Sequence, residues 1–175
     1  MNKFYTGIGH QTCTEEAREF IGWLASNMAE RGYTLISGDA KGVDTYFREN
    51  SNGDYLVYLP DMSYNHYEGR DPERCVILTE LEIELAELEL YRTGIVPDIY
   101  EMSEDARKFM RRNYFQSWNQ GKRPEFCFYY AKEASGEIVG NTRIAVETAR
   151  ELGIPTFNIY TPEGRNQVRD LLNDR

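Results

Sequence analysis

Three short segments of the chain combine glycine with small polar residues in a way that can hold an anion. They are Thr6-Gly7-Ile8-Gly9-His10, Ser37-Gly38-Asp39-Ala40-Lys41-Gly42-Val43-Asp44 and Gly136-Glu137-Ile138-Val139-Gly140-Asn141-Thr142-Arg143. Glycine lets a ligand approach the backbone, and free N–H groups at a helix start favour a phosphate. A single glycine turn after a strand is most often only a turn, so the signal is the set of three. Arg112, Asn113 and Gln116 form a fourth element within about one helical turn. They join a guanidinium suited to phosphate with two amides able to read a base or a ribose. Asp39 is out of place in a phosphate cradle, because a carboxylate repels a phosphate at close range. It can instead accept hydrogen bonds from ribose hydroxyls or cap the following helix; for Asp44 the cap is the stronger reading. Tyr64 and Asn65 sit in a loop, where the ring can stack on a base. His10 has no partner carboxylate in view and reads as a polar lining residue. Cys13, near a helix start, is placed where a thiol pKa falls, but no neighbouring base is identifiable.

Elements that could position these residues alternate along the chain. Strand patterns at Phe4–Gly9, Tyr33–Ile36, Asp54–Leu59, Glu125–Tyr130 and Thr156–Tyr160 are separated by helical ones. The first helix carries Ala17, Phe20, Ile21, Leu24, Ala25 and Met28 at helical spacing, with Gly32 as its stop. Others are expected over Val43–Glu49, over Glu73–Arg92, from Ser103 to Gly121, over Thr142–Leu152 and from Pro162 onward. Connections this long imply parallel strands with helices on both faces. The expectation is one domain over residues 1–175, a three-layer α/β fold with a mostly parallel sheet of roughly five strands and an inserted helical segment around 61–120. In such sheets ligands bind at the carboxyl ends of the strands, where the strand order reverses.

Composition narrows the partners. The 175 residues carry 20 Lys plus Arg against 29 Asp plus Glu, a net charge of −9, and 41% are hydrophobic. That is enough apolar material for a full core without disulfides or a structural metal. Three cysteines with no CxxC argue against a disulfide framework, and His10 and His66 alone assemble no recognisable zinc site. No run approaches the ~20 apolar residues of a membrane span, and the first residues carry no signal-like stretch, so a cytoplasmic protein without a membrane partner is expected. The acidic balance argues against nucleic acid as a partner.

Several of these motifs together resemble the SLOG superfamily, the Rossmann-like group that contains DNA-processing protein A and the lonely-guy phosphoribohydrolases. The chain is most similar to the short DprA-like proteins of bacteriophages. Ser37-Gly38-Asp39-Ala40-Lys41-Gly42-Val43-Asp44 is similar to the family's Ser-Gly-Gly-Ala-x-Gly-x-Asp, with Asp39 at the second glycine. Arg112-Asn113-x-x-Gln116 resembles the Arg-Asn-x-x-Gln of the phage-type members. Gly140-Asn141-Thr142 and Gly153-Ile154-Pro155-Thr156-Phe157-Asn158 match the family's Gly-Gly-Thr helix start and its last core strand. The resemblance implies a Rossmann-like fold and a nucleotide-derived ligand, ADP-ribose-like or cyclic, with no other cofactor. It also implies a homo-oligomer, for which the leucine stripe of 78–88 is a candidate interface, and, for a phage protein in host cytoplasm, sequestration of a defence signal. Lonely-guy enzymes place a catalytic glutamate three residues beyond the threonine. Here that position is Ala145, and Glu147 lies further on. An alanine moves no proton, so binding without catalysis is the first reading. Phosphoribohydrolase (N-glycosidase) activity and DprA-like single-strand DNA binding are the alternatives.

Overall fold

The computed structural model describes residues 2–65, 70–118 and 121–173. Its centre is a run of strands buried on both faces, as parallel strands covered by helices must be. In chain order the elements are β1 (Lys3–Gly9), α1 (Glu15–Glu30), β2 (Tyr33–Ser37), α2 (Val43–Glu49), β3 (Tyr55–Tyr58), β4 (Cys75–Val76), α3 (Glu80–Arg92), α4 (Glu104–Phe115), β5 (Phe126–Tyr130), β6 (Glu133–Ala134), β7 (Glu137–Ile138), α5 (Thr142–Glu151), β8 (Thr156–Asn158) and α6 (Pro162–Asn173). The main sheet is parallel in the order β4-β3-β2-β1-β5-β8. The chain therefore builds outward from β1 in one direction, then returns to β1's other side with β5. That reversal leaves a crevice at the carboxyl ends of the two strands.

Side-chain alternation sorts the strands' faces. Tyr5, Leu35, Phe126, Phe128 and Tyr130 pack against α1, α2 and α6. Phe4, Ile36 and Tyr58 pack under α3 and α4, and Ile8, Cys127 and Tyr129 under α5. The result is three layers of Rossmann-like type. Caps set the helix starts: Thr14 accepts from the Ala17 N–H and Ser103 from the Ala106 N–H, each satisfying an otherwise orphaned donor.

Some boundaries differ from the sequence reading. The sheet has six strands, because Cys75–Val76 adds a short edge where the pattern suggested a helix from Glu73. That helix starts only at Glu80, where Thr79 and Glu82 form a capping box. The helix expected to run to Gly121 ends at Phe115, and the last strand stops at Asn158. The loop after β5 contains the β6–β7 hairpin, turned by Ser135 and Gly136, both at positive φ. The leucine stripe is not the packed face of α3: Leu81 and Leu88 are exposed, while Ala86, Leu90 and Glu87 are buried. Glu87 tolerates burial because Arg111 and Arg107 of α4 pair with it.

The approach of α2 to the sheet depends on Gly42, with φ of 91° and the Gln11 carbonyl oxygen only 2.1 Å from where a Cβ would stand. Backbone, not a flexible side chain, occupies that space. Gly42→Ala should lower the unfolding free energy by about 2–3 kcal/mol, measured by urea titration. An unchanged midpoint would show that the loop relaxes freely.

Candidate functional site

A cavity of about 350 Å³ opens over the end of β1. One buried carboxylate organises it. Asp44, in the first turn of α2, is 3% exposed. Its Oδ1 accepts from the Gly9 N–H at 3.0 Å and its Oδ2 from the Ala40 N–H at 3.3 Å. The end of β1 and the turn after β2 are thus held to the same side chain. Burial pushes the Asp44 pKa up to about 6, against the opposing pull of the Arg112 charge and the N–H groups of Gly9, Ala40 and Gly38.

Arg112 comes in from α4, whose C-terminal end is tied down on both sides. Thr6 Oγ1 donates to the Gln116 carbonyl at 2.6 Å, Asn113 Nδ2 to the Asn141 carbonyl at 3.0 Å, and Ser117 Oγ to the Ala145 carbonyl at 2.7 Å. These bonds fix α4 against β1 and α5. Arg112 Nη1 then donates to the Gly38 carbonyl at 2.5 Å. A Cβ on Gly38 would lie 2.1 Å from that nitrogen and 2.0 Å from Gln116 Nε2, so only glycine fits beneath the guanidinium. The Arg112 side chain lines the cavity, yet its buried Nε has no hydrogen-bond partner among the described residues. Its guanidinium stands 5.5 Å from the Tyr64 ring centroid and 5.7 Å from that of Phe109. Those two rings meet edge to face at 5.6 Å, forming one aromatic wall.

The expected site residues divide into two groups. Ile8, Gly9 and His10 line the cavity from β1, and Ala40 and Asp44 from the second glycine turn. Tyr64 does so from the loop, Arg112, Asn113 and Gln116 from the end of α4, and Asn141 and Thr142 from the start of α5. His10 is held by a hydrogen bond between Nε2 and the Val139 carbonyl oxygen at 3.0 Å. The remainder are engaged elsewhere. A Cβ on Gly7 would strike the Phe47 ring at 2.7 Å, so this glycine admits α2, and Ser37 Oγ donates to the Gly7 carbonyl at 2.7 Å. Gly38 admits Arg112, and Gly42 makes the turn into α2. Asp39 adopts a φ of 55° and its carboxylate pairs with Arg48 and Arg70, each at 2.8 Å, rather than capping a helix or lining the cavity. Asn65 Nδ2 donates to the Asp39 carbonyl at 3.0 Å. Gly140 and Arg143 line an adjoining hollow, with Arg143 paired to Glu147 at 2.7 Å.

Two expectations change in consequence. The N–H groups of Gly9 and Ala40, read as an anion cradle, are already bonded to Asp44, and α2 is only seven residues long. At the start of α5 Asn141 makes no side-chain cap, and the Arg143 and Ile144 N–H groups donate to the Gly140 and Asn141 carbonyls at 3.2 and 3.1 Å. The Cys13 thiol is pushed up rather than down, because burial outweighs the Arg18 charge. Sequence reasoning missed Gln11 and Phe109 in the lining. Phe109 was legible in principle, since it lies three residues before Arg112 on the same helical face. Tyr67 and His66 fall outside the described residues. Among the described residues no group of three or more His, Cys, Asp or Glu could hold a metal ion, and no helix is long and apolar enough to cross a membrane.

The raised Asp44 pKa fixes the sign of a pH effect. The folded protein holds this proton more tightly than the unfolded chain, whose ordinary value is 3.8. The resulting stabilisation is complete below that value and is lost as pH rises through about 6. Asp44→Asn removes the titration. The unfolding free energy of the parent minus that of the variant should therefore fall by roughly 2–3 kcal/mol between pH 4 and pH 7. A difference that is flat in pH would mean Asp44 is not the titrating group.

No protein-family model matches the sequence, and neither does any curated protein. Solved structures do resemble the fold. DNA processing protein A of Helicobacter pylori, a structure that concerns its single-stranded DNA binding mode, has a TM-score of 0.59 at 14% identity, with 99% of this chain and 81% of that one covered. DNA processing protein A (DprA) of Streptococcus pneumoniae has a TM-score of 0.53 at 13% identity; 97% of this chain is covered, but only 56% of that protein. The molybdenum cofactor carrier protein of Chlamydomonas reinhardtii also has a TM-score of 0.53, at 14% identity and covering 97% of this chain and 84% of that one. Likeness at this level shows a shared Rossmann-like fold. It also corrects the charge-based argument against nucleic acid as a partner, because the Helicobacter protein of this fold binds single-stranded DNA. Net charge sums the whole surface, whereas phosphate contacts depend on the few cations at one rim.

Proposed function

We propose that the cavity binds a nucleotide-type small molecule and holds it without turning it over. The observation that carries this reading is Arg112, a residue 6% exposed whose Nε lacks a partner among the described residues while its side chain lines the cavity. Leaving such a donor unmet costs about 1–3 kcal/mol, and a small shift of the side chain toward a phosphate oxygen in the cavity would meet it. The Tyr64–Phe109 wall beside it offers a surface for a base. The start of α5, with Thr142 in the lining, adds its dipole. Retention rather than hydrolysis fits Ala145 being fully buried and Glu147 being paired with Arg143. Asp44 is the carboxylate among the described lining residues, and both of its oxygens already accept backbone hydrogen bonds. A binder of this kind would sequester a nucleotide signal, as the resemblance to phage-type proteins implies, and would do so as a homo-oligomer.

A second reading is that the cavity takes one nucleotide of a single DNA strand. The single-stranded DNA binding of the Helicobacter protein of the same fold favours it. Strand binding would weaken steeply with salt, in proportion to the phosphates contacted. Capture of a small molecule through one phosphate would weaken far less.

Calorimetry with AMP, ADP-ribose and a cyclic nucleotide tests the first reading. Arg112→Ala should lower affinity at least tenfold, as loss of a charge-assisted hydrogen bond of roughly 1.5–3 kcal/mol requires. Thr142→Trp should block the cavity with the fold intact. Parent-like binding by both folded variants would place the ligand elsewhere, and release of free base during incubation would convert the binder into an N-glycosidase.

A further inference from the structure

A second hollow, of about 600 Å³, adjoins the cavity and shares two walls with it, Phe109 and Asn141. It lies between α4, the connection before α4 and the start of α5. Its lining is largely apolar, with Val96 and Ile144 each 2% exposed and Met110 7% exposed, and Ala106 of α4 stands in its wall. Asp98 and Arg143 are its charged lining residues. Both hollows fall within the range of about 300–1,000 Å³ typical of ligand sites. Nothing in the binding of a mononucleotide requires the second.

The N-terminus of α5 lies between them. Asn141 and Thr142 face the cavity, while Gly140, Asn141, Arg143 and Ile144 face the second hollow. Asn141 provides no side-chain cap, and a Cβ on Gly140 would meet nothing within 4 Å, so there is room there for a ligand. The Arg143 and Ile144 N–H groups donate to the Gly140 and Asn141 carbonyls at 3.2 and 3.1 Å, so what α5 offers an anion is chiefly its dipole. The buried, unpartnered Nε of Arg112 supplies an independent demand for an anion on the cavity side of the same junction. Phosphate is therefore favoured at the point where the two hollows meet, with a place for a ring on either side. One is the aromatic wall of Tyr64 and Phe109, and the other the apolar pocket of Val96, Met110 and Ile144.

We infer that the two hollows form one two-chambered site for a pair of nucleosides joined through phosphate, the phosphate lying over the start of α5. This rests on the nucleotide reading and specifies its ligand class. Such a pair comes either as a free dinucleotide or as one step of a single strand, and its recognition chemistry is the same in both.

Calorimetry would compare AMP, the 3′,5′-linked dinucleotide ApA and a ten-residue oligoadenylate on the full chain, with folding checked by circular dichroism. The parent should bind ApA at least tenfold more tightly than AMP. Ala106→Trp, filling the second hollow from its wall, should erase that gap while leaving AMP affinity within twofold; Met102→Trp, from the connection before α4, should do the same. If the oligomer binds no better than ApA, the ligand is a free dinucleotide, and a further large gain assigns the site to a strand. Equal affinity of the parent for AMP and ApA would overturn the two-chambered site and leave the nucleotide reading standing. So would an undiminished ApA preference in folded Ala106→Trp. If the parent binds neither, both readings fall together.

Discussion

A buried carboxylate bonded to the end of β1 and to the turn after β2 is the constraint on which the rest of this protein's geometry depends. The parallel sheet brings these two segments side by side, and each presents a backbone N–H that a close-packed interior would otherwise leave unmet. Asp44 takes one from Gly9 and one from Ala40. Its own charge is then the difficulty, as the upward shift of its pKa records. Arg112 reduces that cost through its charge, and is itself anchored on the Gly38 carbonyl. The cavity is thus built on a near-neutral pair, and what it offers a ligand is the part of Arg112 that this pairing does not use.

This arrangement reverses the meaning of several glycines. Gly7, Gly38 and Gly42 were prominent because glycine lets something approach the backbone closely. What approaches is the protein itself: the Phe47 ring, the Arg112 guanidinium and the Gln11 carbonyl. A missing Cβ is required equally for a ligand and for a neighbouring side chain, so the residue type alone cannot separate them. The cluster around Arg112, Asn113 and Gln116 was legible because helical spacing places those residues on one face wherever the helix packs. Tyr64 was legible only as a ring in a loop, and an isolated phenylalanine such as its partner Phe109 carries no mark that separates a cavity wall from a core position.

The fold was readable to the extent that each element buries a periodic apolar face. β1, β2 and β5 declare themselves, as does α1 with its stripe from Ala17 to Met28. β4 has only two residues and no period to read, so it was absorbed into the following helix. α3 was less legible for a different reason. Its leucine stripe does not fix which side faces the sheet, and the ion pairs of Arg107 and Arg111 with Glu87 turn a glutamate in and leave Leu81 and Leu88 out. A long-range electrostatic partner carries no local signature, and here it decides the rotation of a helix.

Asp39 shows the same principle acting on the site. Read in isolation, a carboxylate among phosphate-binding glycines is an obstacle. Its left-handed backbone lets the side chain reach Arg48 on α2 and Arg70 at the far end of the loop. Arg70 also donates to the carbonyls of Tyr64 and Asn65, at 2.6 and 2.9 Å, and Asn65 donates back to the Asp39 carbonyl. One acidic residue therefore clamps both ends of the segment that carries Tyr64 into the cavity wall. A glycine would satisfy the backbone angle equally well, but it would remove the counter-charge on which Arg70, and through it the aromatic wall, is fixed. The carboxylate among the glycines is thus compensated inside the fold by Arg48 and Arg70.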